Sequence, residues 1–263
     1  MTRPDPLRRR LVTGGLAAAA GLGLSGCKVF DDFSDLDHPG RRLMETATIL
    51  NFRLQRALMR PGALAPEYAP SDIRQGMRPN GTTEPQDADY RALKAGGFAD
   101  YRLAVDGLVR RPLSLDLGAL RAMPARTQIT RHDCVEGWSC IAQWTGVPLA
   151  RVLDLAEPAP AARYAVFWCY DTLPSFIEGP QRYYESIDMI DAWHPQTILA
   201  YGLNGADLPE PNGAPLRLRV ERQLGYKMAK YLRCIELVSS FADIAGGRGG
   251  FWEDKGYSWY AGI

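Results

Sequence analysis

Arg131–Leu149 reads RHDCVEGWSCIAQWTGVPL. It sets one thiol, Cys134, among the polar and charged neighbours His132, Asp133 and Glu136, then runs through Trp138 and Trp144 to a Gly-Val-Pro-Leu helix start. A thiolate is a soft ligand that suits soft and redox metals. Cys134 is therefore a candidate metal ligand or nucleophile. The competing reading is a core cysteine beside a helix, because free cysteine is among the most buried residue types. These nineteen letters leave both readings open, and the rest of the chain has to separate them.

The composition is that of a globular protein: 263 residues, 46% hydrophobic and 23% charged, enough for one large domain or two small ones. Lys and Arg number 31 against 30 Asp and Glu, a net charge of +1 with no long basic run, so nothing points to nucleic acid. The 26 glycines and 19 prolines imply many turns and a strand-rich or mixed fold. The five cysteines are odd in number and include no CxxC pair, which excludes a dense disulfide framework and a zinc ribbon. Three histidines are too few for a zinc site built mainly on imidazole.

Residues 1–26 have the layout of an export signal: Arg8, Arg9 and Arg10, then a short apolar run. The run from Leu11 to Gly26 is rich in glycine and shorter than the ~20 residues a spanning helix needs. The Arg-Arg pair resembles a twin-arginine signal, with Leu7 where a polar residue is usual. Leu24-Ser25-Gly26-Cys27 resembles a bacterial lipobox, in which Cys27 is lipidated and becomes the mature N-terminus. Acyl chains then hold the protein on the membrane. Residues 27–40, with Asp31, Asp32, Asp35 and Asp37, read as an acidic tether, and 41–263 as the working domain. The twin-arginine route carries folded proteins, often with a cofactor already inserted.

Within the domain, Leu43, Ala47, Leu50, Leu54 and Leu58 recur at helical spacing and predict a helix over Arg41–Met59 that covers the core. Pro61–Asp89 is expected to be loop. Strands are expected at Tyr101–Val105, Arg126–Arg131, Tyr164–Tyr170, Leu216–Val220 (half-buried) and Tyr231–Val238. Short helices are expected from Ser114, from Pro148, and over Met189–Ala200 around His194-Pro195. The aromatic tail, Gly246–Ile263, is expected to dock on the domain.

A second chemical stretch is PNGAPLRLRV (211–220) leading to GYKMAK (225–230). Glycine turns let backbone approach a ligand. Arg217 and Arg219 share a strand face, and Lys227 and Lys230 follow. Converging cations suit a phosphate, although an ordinary exposed basic strand has the same pattern.

Together the two stretches resemble the sulfite oxidase family of molybdopterin enzymes, above all its bacterial periplasmic protein-methionine-sulfoxide reductase catalytic subunits. The matching motifs are CVEGWS, WTGVPL, NGAPLRL and GYKMAK, in the family's order, and the resemblance runs from about Met77 to the C-terminus. It implies an α+β fold: a mixed, strand-rich, sulfite-oxidase-type molybdopterin-binding domain with peripheral helices. It implies molybdenum-molybdopterin as cofactor, with Cys134 as the thiolate ligand and catalytic residue. Asn212 and Arg217 match pterin-binding positions, and Met228, Ala229 and Lys230 the segment that holds the cofactor phosphate. Asn80 resembles the early pterin-contacting asparagine, and Arg78 an arginine that lines the substrate pocket of sulfite-oxidising members. Cys169 stands where the reductase subunits carry a pterin-contacting threonine, and their Tyr-Glu pair has no clear counterpart. Taken with the export signal and the lipobox at Cys27, the resemblance further implies a periplasmic, lipid-anchored monomer performing oxo transfer on a small or protein-borne sulfur or related oxo substrate. Its redox partner would be a separate membrane b-type cytochrome. A sulfite-oxidising dehydrogenase and a non-catalytic lipoprotein on the same fold are the competing expectations. Cys140 is read as packing, and Glu136, His132 and Arg131 as groups whose roles need a structure.

Overall fold

The computed structural model describes residues 38–174 and 179–263. The export signal, Cys27 and all but the end of the tether lie outside them. Phe52–Ile263 forms one compact unit, and residues up to Asn51 belong to another. No helix among the described residues is long and apolar enough to cross a membrane.

The first described helix, α1 (Pro39–Leu58), forms where the leucine spacing predicts it, but Leu54 and Leu58 at its C-terminal end do not cover the core. Leu43, Leu50, Leu54 and Leu58 are all exposed, Leu58 by 75%. At its C-terminal end a different face is engaged. The Phe52 ring lies 4.7 Å from that of Tyr260, and the Arg56 guanidinium is 2.8 Å from both Asp188 and Asp191. Aromatic contact and paired charge, rather than the leucine stripe, fix this end.

After an irregular stretch, Asp87 caps α2 (Ala88–Ala95) by accepting the Tyr90 N–H. Strand β1 (Leu103–Gly107) then pairs with β2 (Leu113–Leu115), which contains the Ser114 expected to start a helix. That helix, α3 (Leu117–Ala122), begins later because Asp116 caps it through the Ala119 N–H at 2.7 Å. Strands β3 (Arg126–Cys134) and β4 (Trp138–Pro148) form a long hairpin. The sequence reading missed β4, whose buried and half-buried positions alternate as a strand's must. Next come α4 (Leu149–Ala156), β5 (Tyr164–Leu173) and β6 (Gln181–Asp188). Helix α5 (Met189–Ala192) ends before His194-Pro195, and the expected continuation to Ala200 is instead β7 (Ile198–Leu203). Strands β8 (Ala206–Asp207), β9 (Arg217–Arg219) and β10 (Leu232–Val238) complete the set.

The strands make two sheets. One has the order β2-β1-β10-β5-β6, with β1 and β10 parallel and the other pairs antiparallel. The other runs β3-β4-β7-β8, with β9 also on β7. The fold is mixed α+β and strand-rich, as expected. The large core collects Leu103, Val105, Leu149, Val152, Phe167 and Ile235 among others, all without exposure. A smaller cluster surrounds Trp144 and takes in Cys140, which packs as expected. Strand β9 is wholly buried, not half-buried: Arg217 and Arg219 lie over the Trp144 ring at 5.0 and 4.3 Å. Such stacking contributes ~0.5–2 kcal/mol each. The tail is docked as expected, with Phe251 and Tyr260 buried.

Candidate active site

Cys134 is the last residue of β3, at the tip of the β3–β4 hairpin, paired in register with Trp138. It is 8% exposed. Burial pushes its thiol up from the ordinary range, with the Glu136 carboxylate adding to the rise; the backbone N–H groups of Glu136 and Val135 and the Arg78 charge pull the other way. The turn is braced by Trp138, whose Nε1 donates to Glu136 Oε2 at 3.0 Å. The Arg78 guanidinium lies over Trp138, 5.0 Å from its ring centre, and is not among the residues that line the cleft.

A cleft opens in front of Cys134. The long loop supplies Asn80 and Thr82, β5 supplies Asp171, and the segment after Gly225 supplies Met228 and Lys230. Tail residues Trp252 and Tyr257 close another side. Cys134, Asn80, Met228 and Lys230, far apart in the chain, therefore share one cavity. Asn212, Arg217 and Ala229 sit behind it. Arg217 donates to the carbonyls of Asn212 (2.8 Å) and Met228 (3.2 Å), and the Ala229 carbonyl accepts from Leu218 N–H. Gly213, at φ +112°, lies where a Cβ would touch the side chains of both Lys230 and Arg217, at 3.0 and 3.2 Å. No other residue fits there readily.

Cys169 is placed differently. It is fully buried in the main core, and the residues that β5 gives to the cleft are Asp171, two positions on, and Leu173. The alternation of a strand could have suggested it.

The four cations of the second stretch separate into two pairs. Lys227 is held by Glu185 and Glu253, each at 2.5 Å, and Arg219 by Glu221 at 2.7 Å. Arg217 and Lys230 bond to backbone carbonyls only. Lys230 Nζ reaches Asn80 O at 2.5 Å, Pro211 O at 3.0 Å and Thr82 O. Burial, reinforced by the neighbouring Arg217 charge, lowers Lys230 to about 7, and burial with Arg219 lowers Arg217 to about 9. Burial and the neighbouring cations outweigh the opposing pull of the Asp171 carboxylate on Lys230 and of Glu221 on Arg217. Two nearby acceptor atoms, Asp171 Oδ1 and Asn80 Oδ1, have no hydrogen-bond partner, and burial raises Asp171 to about 6 against the pull of the Lys230 charge and of hydrogen bonds from Thr82 and its own backbone.

Comparison with known proteins bears on what fills such a site. A model of the oxidoreductase molybdopterin-binding domain matches residues 92–243. The chain belongs to this family. The molybdopterin oxidoreductase includes among its relatives a putative protein-methionine-sulfoxide reductase subunit, YedZ1, of Azospira oryzae, 36% identical over 97% of this chain and 86% of that one. The protein-methionine-sulfoxide reductase catalytic subunit MsrP of Xanthomonas campestris pv. campestris is 37% identical over 59% of this chain and 50% of its own. Among solved structures, the sulfane dehydrogenase SoxCD of Paracoccus pantotrophus gives a TM-score of 0.47 at 20% identity, covering 68% of this chain and 46% of that one.

The residues present fit a molybdenum-pterin. A pterin phosphate would give Lys230, and Arg217 behind it, an anion to face, and a pterin edge bearing N–H groups would give donors to the unpartnered Oδ1 atoms of Asp171 and Asn80. Among the described residues, no group of three or more His, Cys, Asp or Glu side chains is arranged to chelate a metal without such a group.

Proposed function

We propose that this chain is the catalytic subunit of a molybdenum enzyme that reduces sulfoxides, of the kind carried by oxidised methionine. The observation that carries the reading is the convergence of the Cys134 thiol with Asn80, Asp171 and Lys230 in one cleft. Cys134 is the protein's ligand to molybdenum. Arg217, Lys230 and the backbone of Met228 and Ala229 hold the phosphate end, while Asn80, Asn212 and Asp171 meet the pterin. When bound, the cofactor supplies two-electron oxo transfer, and the protein supplies position and charge. The overall change takes two electrons and two protons and turns a sulfoxide into a sulfide and water.

A sulfoxide suits the cleft better than sulfite does. Sulfite is an anion and calls for several convergent arginines. Arg78, the arginine expected for that role, is stacked on Trp138, and Tyr226, Trp252 and Tyr257 give the cleft an aromatic, uncharged side. The names of the two relatives support the same substrate. Electrons arrive from a separate membrane b-type cytochrome. On this reading the twin-arginine-like signal exports the chain, Cys27 is lipidated and the domain works as a monomer on the periplasmic side of a membrane; Cys27→Ser is expected to release it into the soluble fraction.

Steady-state rates test the reading. Reduced viologen with a sulfoxide should give turnover, while sulfite with an electron acceptor should give little. The reverse order of rates overturns the sulfoxide reading in favour of a sulfite dehydrogenase.

A further inference from the structure

Leu43, Leu50, Leu54 and Leu58 of α1 repeat at steps of seven and four positions and so share one side of the helix. They and Met44 beside them are each at least 55% exposed. At the C-terminal end the domain holds the opposite side. Phe52, Arg56 and Met59 are half-buried there. The Phe52 ring meets Trp259 and Tyr260 at 6.0 and 4.7 Å, and Arg56 is tied to Asp188 and Asp191. Leu54 and Leu58 therefore point away from the core, and a rotation that buried them would break both ion pairs.

Charge identifies what meets the stripe. Pro39–Leu58 carries four arginines against one glutamate. Arg53 is exposed at the border of the stripe, and Arg60 just beyond its end. A second copy of the helix would set this positive charge against itself, whereas an anionic surface attracts it. Arginine stems lie along apolar surface while their heads reach phosphate. The helix is not apolar enough to cross a membrane, and a leucine face edged by arginine is the pattern of a helix lying in the interface. We infer that α1 rests on a bilayer of anionic phospholipid, with Leu43, Leu50, Leu54 and Leu58 among the acyl chains. Cys27 stands twelve positions before Pro39, so acylation there leaves the helix within reach of the same surface. The contact is reversible on its own. It orients an acylated chain and does not retain one that lacks acyl groups on dilution. It is independent of the cofactor and of the reaction.

The chain from residue 27 onward, with Cys27→Ser to prevent acylation, keeps α1 and all of Phe52–Ile263. This parent chain is expected to sediment with vesicles of phosphatidylglycerol and phosphatidylcholine in equal parts, less with phosphatidylcholine alone, and less as salt rises. Leu54→Glu with Leu58→Glu is expected to lower affinity for the anionic vesicles about tenfold, ~1.4 kcal/mol, and Arg53→Glu about fivefold. Both variants should melt with the parent, since these side chains are exposed. Equal sedimentation of the parent and the leucine variant, or none with anionic vesicles, overturns the inference. So does a leucine variant that melts well below the parent, which marks a face packed in protein, or a parent dimer that the leucine variant splits into monomers.

Discussion

Arg219 Nη1 lies 2.8 Å from His132 Nδ1. A guanidinium can only donate, so His132 accepts at Nδ1 and carries its proton on Nε2. Burial and the charges of Arg219, Arg217 and Lys230 hold the ring well below the usual histidine range, so it stays neutral. Arg219 is in turn paired through two contacts with Glu221, which also accepts from Gln128. The chain of contacts ties the strand that carries Cys134 to the strand that carries Arg217.

Gly225 covers the other nitrogen of His132. A Cβ there would stand 2.4 Å from Nε2. Gly225→Ala is therefore expected to destabilise the fold by ~1–3 kcal/mol. In a His132→Ala background the same change should cost much less, and thermal unfolding of the two single variants and the double variant measures the coupling. Additive losses would show that the two residues do not share this contact.

Arg217 spans two carbonyls with one planar fork. Arg217→Lys keeps the charge and loses the fork. Pterin retention is expected to fall about tenfold, ~1.4 kcal/mol, as read from the fluorescence of pterin released and oxidised from purified protein. Retention equal to that of the wild type would remove Arg217 from the cofactor site.

The pH dependence of the cofactor-free protein has a definite sign. Lys230 titrates at about 7 in the fold against 10.5 ordinarily. The unfolded chain therefore binds more protons between those values, and stability from this group rises with pH across that window. Asp171 titrates at about 6 against 3.8. Here the folded chain binds more protons, and stability falls as pH rises from the lower value to the higher. The two costs overlap between them, giving a minimum around pH 6 to 7. Melting curves should show Lys230→Met weakening the rise on the alkaline side and Asp171→Asn weakening the fall on the acid side.

Lys227 is the hub of a buried triad with Glu185 and Glu253. Lys227→Met leaves two buried carboxylates without a counter-charge and is expected to cost ~3–5 kcal/mol in urea denaturation. Glu253→Gln leaves a one-to-one pair and should cost clearly less. A milder effect for the lysine than for the glutamate contradicts this account of the triad.

The sequence was most informative where chemistry and local pattern coincide. Cys134 in a polar turn, Asn80 in a long loop and Lys230 after a glycine turn all reach the cleft. Arg217 and Arg219 were rightly placed on one face, but alternation does not say whether a face is wet, and Trp144 turned out to cover it. Which cations are free was not legible either. Lys227 is neutralised by Glu185 and Glu253, and only folding brings those residues together. Strand β4 went unseen because Gly146 and Pro148 punctuate a run whose pairing with β3 and β7 outweighs local preference. The leucines of α1 have the period of a buried face, yet they are exposed. Periodicity defines a stripe and not what meets it.

Molybdenum K-edge absorption on purified protein and on Cys134→Ser tests the central claim most directly. The wild type, made in cofactor-replete cells, should contain molybdenum equimolar with protein, and the variant should show one sulfur neighbour fewer at the metal. Wild-type protein without molybdenum, or an unchanged sulfur count in the variant, would contradict the assignment of Cys134 as the ligand around which the site is built.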